Sequence, residues 1–324
     1  MMILYMLLAA AGLVISFLLL VKGADFFVDG CVSIARLLRV PDLIIGLTIV
    51  AMGTSAPEAA VSISSAINDP TNAGITVGNI FGSNILNILI ILGLSAVIVP
   101  ITVDKSLLKK DFPMLIVSAV IMPILFWVFD MQGTRWAGLI IMAIFIFYMV
   151  WTVRDALKSR KLSQQKNEPA EKPMSVPKSI LFAAGGLAVV IAGGQLAVHC
   201  AKYIAQGIGI SDSLIGLTIV ALGTSLPELI TSVVAARKGN SDLALGNVVG
   251  SNLFNVLMIL GVSMVIAPFP VTMDSMVDGF VVLGASVVCY ISAAGKKIGR
   301  GWGIIYLLLY AVYLTYIIWR DFAV

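Results

Sequence analysis

Residues 46–58 read GLTIVAMGTSAPE, and residues 216–228 read GLTIVALGTSLPE. Eleven of these thirteen positions are identical, at an offset of 170. A second pair follows: GNIFGSNILNILIILG at 78–93 and GNVVGSNLFNVLMILG at 246–261, with ten of sixteen positions matching. Agreement of this kind goes well beyond shared hydrophobicity. It marks an internal repeat, in which the chain builds one structural unit twice.

The repeat sits in a strongly apolar chain. Of 324 residues, 60% are apolar and 12% charged, and the mean hydropathy is +1.04. The charged share is about half the usual globular value. So few charges cannot cover a water-facing surface, which excludes a soluble enzyme, a disordered chain and a nucleic-acid binder. Cys31, Cys200 and Cys289 lie far apart and form neither a metal-ligand spacing nor a disulfide framework.

Ten stretches reach the length of about 20 apolar residues that a membrane helix needs. They are roughly 3–28, 43–67, 74–98, 112–128, 135–153, 179–205, 213–236, 243–266, 277–294 and 301–319. The polar stretch 154–178 is rich in Lys, Gln, Glu and Pro and is expected to be a solvated linker. It divides the chain into residues 1–153 and 179–324, with five spans each. Five is odd, so the second half starts on the opposite side of the membrane from the first. The expected fold is an all-α integral membrane protein of ten transmembrane helices, arranged as two inverted five-helix repeats. Inverted repeats characterise secondary transporters, with the binding site near the midplane where the repeats meet.

Orientation follows from the positive-inside rule. With the N-terminus outside, 17 of the 21 Lys and Arg fall on inside loops or the linker. Both termini are then outside and 154–178 is cytoplasmic, which fits a multi-pass protein of the cell membrane.

The repeated motifs carry the chemistry. Pro57 has no backbone N–H, so the Gly53 carbonyl loses its helical partner and the helix kinks. Freed carbonyls at membrane depth are tolerated only inside protein or lining a cavity. Beside them stands Glu58, with Ser55 and Ser62 on its face; Gly223, Ser225, Pro227, Glu228 and Ser232 repeat the set. Asn79, Ser83 and Asn87 form a stripe along the next span, matched by Asn247, Ser251 and Asn255. The Gly-x-x-x-Gly spacings at 78–82 and 246–250 let a neighbouring backbone approach. Acids inside the membrane are functional by default. Oxygen ligands of this kind suit hard cations such as Ca²⁺ rather than softer metals. Two carboxylates balance one divalent cation or two monovalent ones, and a bare pair is costly to bury, so an empty return across the membrane is disfavoured. Asp25 and Asp29 read as interfacial or paired with Lys22.

The two Gly-Thr-Ser-x-Pro-Glu motifs and the two Gly-Asn-x-x-Gly-Ser-Asn motifs resemble the α-repeats of the cation/calcium antiporter superfamily, specifically the prokaryotic Na⁺/Ca²⁺ exchangers. The resemblance covers the whole chain, with α-repeats at about 43–98 and 213–266. It implies exchange of Ca²⁺ for Na⁺ by alternating access. It implies Ca²⁺ held by Glu58, Glu228 and the backbone oxygens of Thr54 and Thr224. It implies Na⁺ sites that use the same glutamates with Ala51, Ser55, Ser83, Asn87, Ala221, Ser225, Ser251 and Asn255. Asn255 stands where some relatives carry aspartate, which leaves two acids and puts K⁺ co-transport in doubt.

The alternative reading is H⁺/Ca²⁺ exchange, and a passive cation channel ranks below it. No nucleophile elbow, zinc-protease motif or P-loop is present, and the single His199 offers no base near the motifs, so an enzyme is not expected. The bilayer is the expected environment and Ca²⁺ and Na⁺ the expected substrates. Neither a cofactor nor an obligate protein partner is implied.

Overall fold

The computed structural model describes residues 2–68, 74–165, 173–207 and 221–322. Twelve helical segments account for nearly all of them. They are α1 (Met2–Leu38), α2 (Asp42–Thr54), α3 (Ala56–Asn68), α4 (Thr76–Ile98), α5 (Leu107–Val128) and α6 (Arg135–Gln165). Then come α7 (Val176–Gly207), α8 (Ala221–Thr224), α9 (Leu226–Arg237), α10 (Ser241–Ile266), α11 (Met273–Ala294) and α12 (Arg300–Phe322). Among the described residues eight helices are long and apolar enough to cross a membrane, and the bent pair α2–α3 makes nine. The protein is an integral membrane protein. The beginning of the seventh expected span, residues 213–220, lies outside the described residues; its remainder is α8 and α9.

Hydropathy marks the apolar part of a helix, not its ends. The first helix therefore continues to Leu38, through Asp25, Asp29 and Arg36, where the apolar pattern suggested a stop near 28. The fifth span continues through Gln165 into the expected linker. Residues 154–165 contain no Gly or Pro and are rich in helix formers.

Burial grades the helices. In α4 and α10 the most apolar windows are 78% buried, against 17% in α1 and α12. The repeated motifs thus occupy the centre. Ile80, Ile85 and Ile88 of α4 and Val249, Leu257 and Leu260 of α10 form one core with Phe112, Phe126, Tyr148, Cys289 and Tyr306 of the surrounding helices. A second core joins Leu20, Ala24 and Phe27 of α1 to Ala183, Val190 and Ala197 of α7. Gly12 faces Cys200, Gly23 faces Val190 and Gly30 faces Ala183. The facing positions run in opposite directions, so α1 and α7 are antiparallel.

Short strands clip the halves together. Ile101 and Thr102 (β1) pair antiparallel with Ile298 and Lys297 (β4). Gln132 and Gly133 (β2) pair with Pro270 and Phe269 (β3). Each clip joins a loop of one half to a loop of the other.

A matched pair of acid–tyrosine contacts holds the outer helices. Tyr148 of α6 donates to Asp111 of α5 at 2.9 Å, and Tyr313 of α12 donates to Asp278 of α11 at 3.1 Å. A cation completes each. Lys110 Nζ lies 3.6 Å from Asp111 and 3.2 Å from Asp155, while Arg320 donates to both oxygens of Asp278 at 3.2 and 3.4 Å. Asp25 and Asp29 do not depend on Lys22. Lys238, just after α9, reaches Asp29 at 2.7 Å and Asp25 at 3.4 Å, because the long α1 carries both acids to its level.

Candidate functional site

The second span breaks where Pro57 and Gly53 predict. Helices α2 and α3 meet at 49°. The hinge residue Ser55 has φ −82° and ψ 9°, and Ser225 between α8 and α9 has φ −89° and ψ 4°. Both lie in the bridge region, frequent at active sites. Proline is tolerated in the first turn after such a break, where its missing N–H costs nothing. The break places Glu58 and Glu228 in the first turns of α3 and α9. There the exposed N–H groups and the helix dipole favour negative charge.

Each carboxylate is held by the other repeat. Ser55 donates to Glu228 Oε1 at 2.8 Å, and Ser225 donates to Glu58 Oε1 at 3.0 Å. Thr54 and Thr224 also interact with Glu228 and Glu58, respectively. Asn79 donates to Ser62 at 2.9 Å and to the Glu58 carbonyl at 3.4 Å. Asn247 makes the same two contacts with Ser232 and the Glu228 carbonyl, at 2.9 and 3.4 Å. The stripe residues thus brace the segment that carries the acid. Thr54 donates to Asn247 at 3.1 Å, and Ser251 donates to the Ala51 carbonyl at 3.5 Å. Ser83 lies 3.4 Å from Ser225.

The helices around the site are wound wider than an α-helix. Leu86–Leu92 and Phe254–Leu260 are π-helical, carrying Asn87 and Asn255 near their starts, and Gly46–Val50 is a third such segment. π-Turns are rare and recur at functional sites. They rotate a side chain away from the regular i, i+4 stripe, which the sequence pattern cannot reveal.

Of the expected site residues, Glu58, Glu228, Thr54, Ala51, Ser55, Ser83, Ser225, Ser251, Asn87 and Asn255 are all buried. Contacts join all of them except Asn87 and Asn255 in one cluster between the two repeats, and Asn255 bonds to Asn84 instead. Thr224 is half-buried and interacts with Glu58. Ala221 starts α8, and its side chain lies outside what is described. Two residues escaped the sequence reading. Asn84 and Asn252 follow Ser83 and Ser251 directly and so fall off the stripe, yet both are fully buried; Asn84 contacts Asn255 of the stripe and donates to the Asn252 carbonyl. Their recurrence in both Gly-Ser-Asn triplets was the available signal.

The cluster ends in oxygens with nothing to bind. Glu58 Oε2, Glu228 Oε2, Asn87 Oδ1 and Asn255 Oδ1 are all buried without a hydrogen-bonding partner in the protein. Buried acceptors of this kind are rare and costly. Among the described residues no three His, Cys, Asp or Glu side chains gather as a metal site. The donor set is therefore two carboxylates with neutral oxygens, which suits a hard cation held by many oxygens.

The chain as a whole is similar to known proteins. The family described as "Sodium/calcium exchanger protein" matches residues 8–154 and 178–319. The putative antiporter CaxA of Alkalimonas amylolytica is 42% identical over 81% of this chain and 82% of its own length. The sodium/calcium exchanger MaX1 of Methanosarcina acetivorans is 32% identical over 94% of this chain and 96% of its own. A solved structure of the sodium-calcium exchanger NCX_Mj, soaked with Na⁺ and Sr²⁺, superposes with a TM-score of 0.82 at 35% identity, over 96% of this chain and 99% of that one.

Proposed function

Because this chain belongs to the sodium/calcium exchanger family, we infer that it is a membrane antiporter that exchanges Ca²⁺ for Na⁺. It is a transporter, not an enzyme, and proton exchange is not the favoured reading. Ten spans in two inverted five-helix repeats form it, and the antiparallel packing of α1 on α7 supports that plan. Both termini are outside the cell membrane and residues 154–178 are cytoplasmic, as the distribution of Lys and Arg requires.

Ca²⁺ binds between the repeats, on Glu58 and Glu228 with the backbone oxygens of Thr54 and Thr224. Na⁺ binds the same glutamates with Ala51, Ser55, Ser83 and Asn87, and with Ala221, Ser225, Ser251 and Asn255. The observation that carries this assignment is the set of four buried oxygens left without partners. Two carboxylates neutralise one Ca²⁺ or two Na⁺. Carrying them bare through the membrane interior is costly. The site therefore crosses loaded, and one ion's gradient drives the other by alternating access.

The test is uptake of radiolabelled Ca²⁺ into proteoliposomes loaded with Na⁺ or with choline, at equal pH on both sides. Uptake only with internal Na⁺ is expected. Equal uptake in both would remove Na⁺ as the counter-ion.

A further inference from the structure

Two kinds of contact in the site match across a two-fold. The asparagine braces at 79 and 247 match, at 2.9 and 3.4 Å in each repeat. The serine–glutamate contacts match within a few tenths, at 2.8 and 3.0 Å. Other contacts depart from the two-fold: Ser225 lies 3.4 Å from Ser83 without a Ser55–Ser251 counterpart, and the amides beside them differ more. Asn84 Nδ2 donates to the Asn252 carbonyl at 3.2 Å, and Asn255 Nδ2 donates to Asn84 Oδ1 at 3.1 Å. The mirror set would tie Asn252 to the Asn84 carbonyl and Asn87 to Asn252. It is not formed: both side-chain atoms of Asn252 and both of Asn87 are buried without partners.

Sequence does not cause this difference. The residues are Gly-Ser-Asn followed by Asn three positions later in both repeats. Identical residues with different bonding record conformation. In a transporter of two inverted repeats, the state open to one side becomes the state open to the other when the repeats exchange conformations. A contact present in only one repeat must then change places.

We propose that Asn84 and Asn252 are positioning residues that form an alternating amide clasp. In the conformation described here Asn84 fixes the Asn255 amide through its Nδ2, leaving Oδ1 for an ion, while the Asn87 amide is not fixed. In the opposite-facing conformation Asn252 fixes the Asn87 amide and the Asn255 amide is released. The clasp links which stripe asparagine has its amide fixed to the side from which the site is open. This rests on the antiport reading above.

The experiment compares Asn84→Ala and Asn252→Ala in right-side-out and inside-out vesicles. The readout is the Na⁺ concentration giving half-maximal Ca²⁺ exchange on each face, expressed as the ratio of the two. Removing one side's bond destabilises one conformation by about one net hydrogen bond, a factor of about five in the equilibrium. The ratio shifts by up to about fivefold in one direction for Asn84→Ala and in the other for Asn252→Ala, and the double variant returns it towards wild type. Loss of packing alone lowers the maximal rate on both faces and leaves the ratio fixed. Shifts in the same direction, or none, would overturn the clasp. Should an alanine variant fail to insert, Asn84→Ser and Asn252→Ser keep a polar group too short to bridge and carry the same expectation. Absence of Na⁺-dependent Ca²⁺ flux in wild-type vesicles would instead overturn the antiport reading, so the two failures are distinct.

Discussion

Gly250 lies where α10 crosses α2, and a single methyl group there tests how the two repeats are held. A Cβ at this position would sit 2.7 Å from the Leu47 carbonyl oxygen and 2.8 Å from Ala51 Cβ and Leu47 Cα. Comfortable contact needs roughly 3.5–4.0 Å, so α10 must retreat by about 1 Å. The obstacle is backbone on a buried helix, which cannot rotate away as a side chain would. Overpacking of this kind costs about 1–3 kcal/mol. The retreat also reaches the site. Ser251 meets the Ala51 carbonyl at 3.5 Å and Thr54 meets Asn247 at 3.1 Å, and both contacts span the same gap. Gly250→Ala is therefore expected to lower the melting temperature and to reduce Ca²⁺ exchange further than the stability loss explains. Gly284→Ala is the control. That glycine lies in α11 with open space around its Cβ position, and alanine there is expected to stabilise by about 0.5–1 kcal/mol. Thermal unfolding in detergent and vesicle uptake measure both effects. A Gly250→Ala protein with wild-type stability and wild-type transport would refute the reasoning that glycine is required for this approach.

The matched serine contacts predict matched consequences: Ser55→Ala and Ser225→Ala should each raise the Ca²⁺ concentration for half-maximal uptake about tenfold, from loss of a charge-assisted bond. A large effect from one with none from the other would contradict the two-fold site. Tyr148→Phe should lower the unfolding temperature more than Tyr313→Phe. Asp111 Oδ2 already has no partner and its Lys110 contact is long at 3.6 Å, whereas Asp278 keeps Arg320 on both oxygens. Equal shifts would count against that ordering. Asn255→Asp should leave the protein inserted but change the Na⁺ and K⁺ dependence of Ca²⁺ uptake. The change adds a third acid and sets an oxygen against Asn84 Oδ1. Unchanged dependence would show that position 255 does not read the cation.

Much of this architecture is written in the chain because the duplication prints the functional segment twice. The motif around Glu58 recurs around Glu228, so the acids, the hinge serines and the prolines stood out, and the 49° break falls at the predicted place. The stripe residues were legible for the same reason. What was hidden depends on geometry that no local pattern encodes. The π-turns at Leu86–Leu92 and Phe254–Leu260 change which side chains point inward without changing composition. Asn84 and Asn252 sat in plain view in the repeat, yet a period-four reading passes over them. Tyr148 and Tyr313 find Asp111 and Asp278 across helix pairs, where the two halves have diverged too far for alignment by eye. Helix ends were missed at Leu38 and Gln165 because hydropathy sees the bilayer-facing stretch alone. Lys238 pairs with Asp25 and Asp29, a contact more than two hundred residues distant that only the fold creates.

The central claim is that Ca²⁺ and Na⁺ compete for one oxygen cluster built on Glu58 and Glu228. Equilibrium binding of radiolabelled Ca²⁺ to the purified protein, with Na⁺ titrated against it, tests this most directly. The account predicts one saturable Ca²⁺ site that Na⁺ displaces completely, and its loss in both Glu58→Gln and Glu228→Gln at wild-type folding. Ca²⁺ binding that persists at saturating Na⁺, or that survives in either variant, would contradict it.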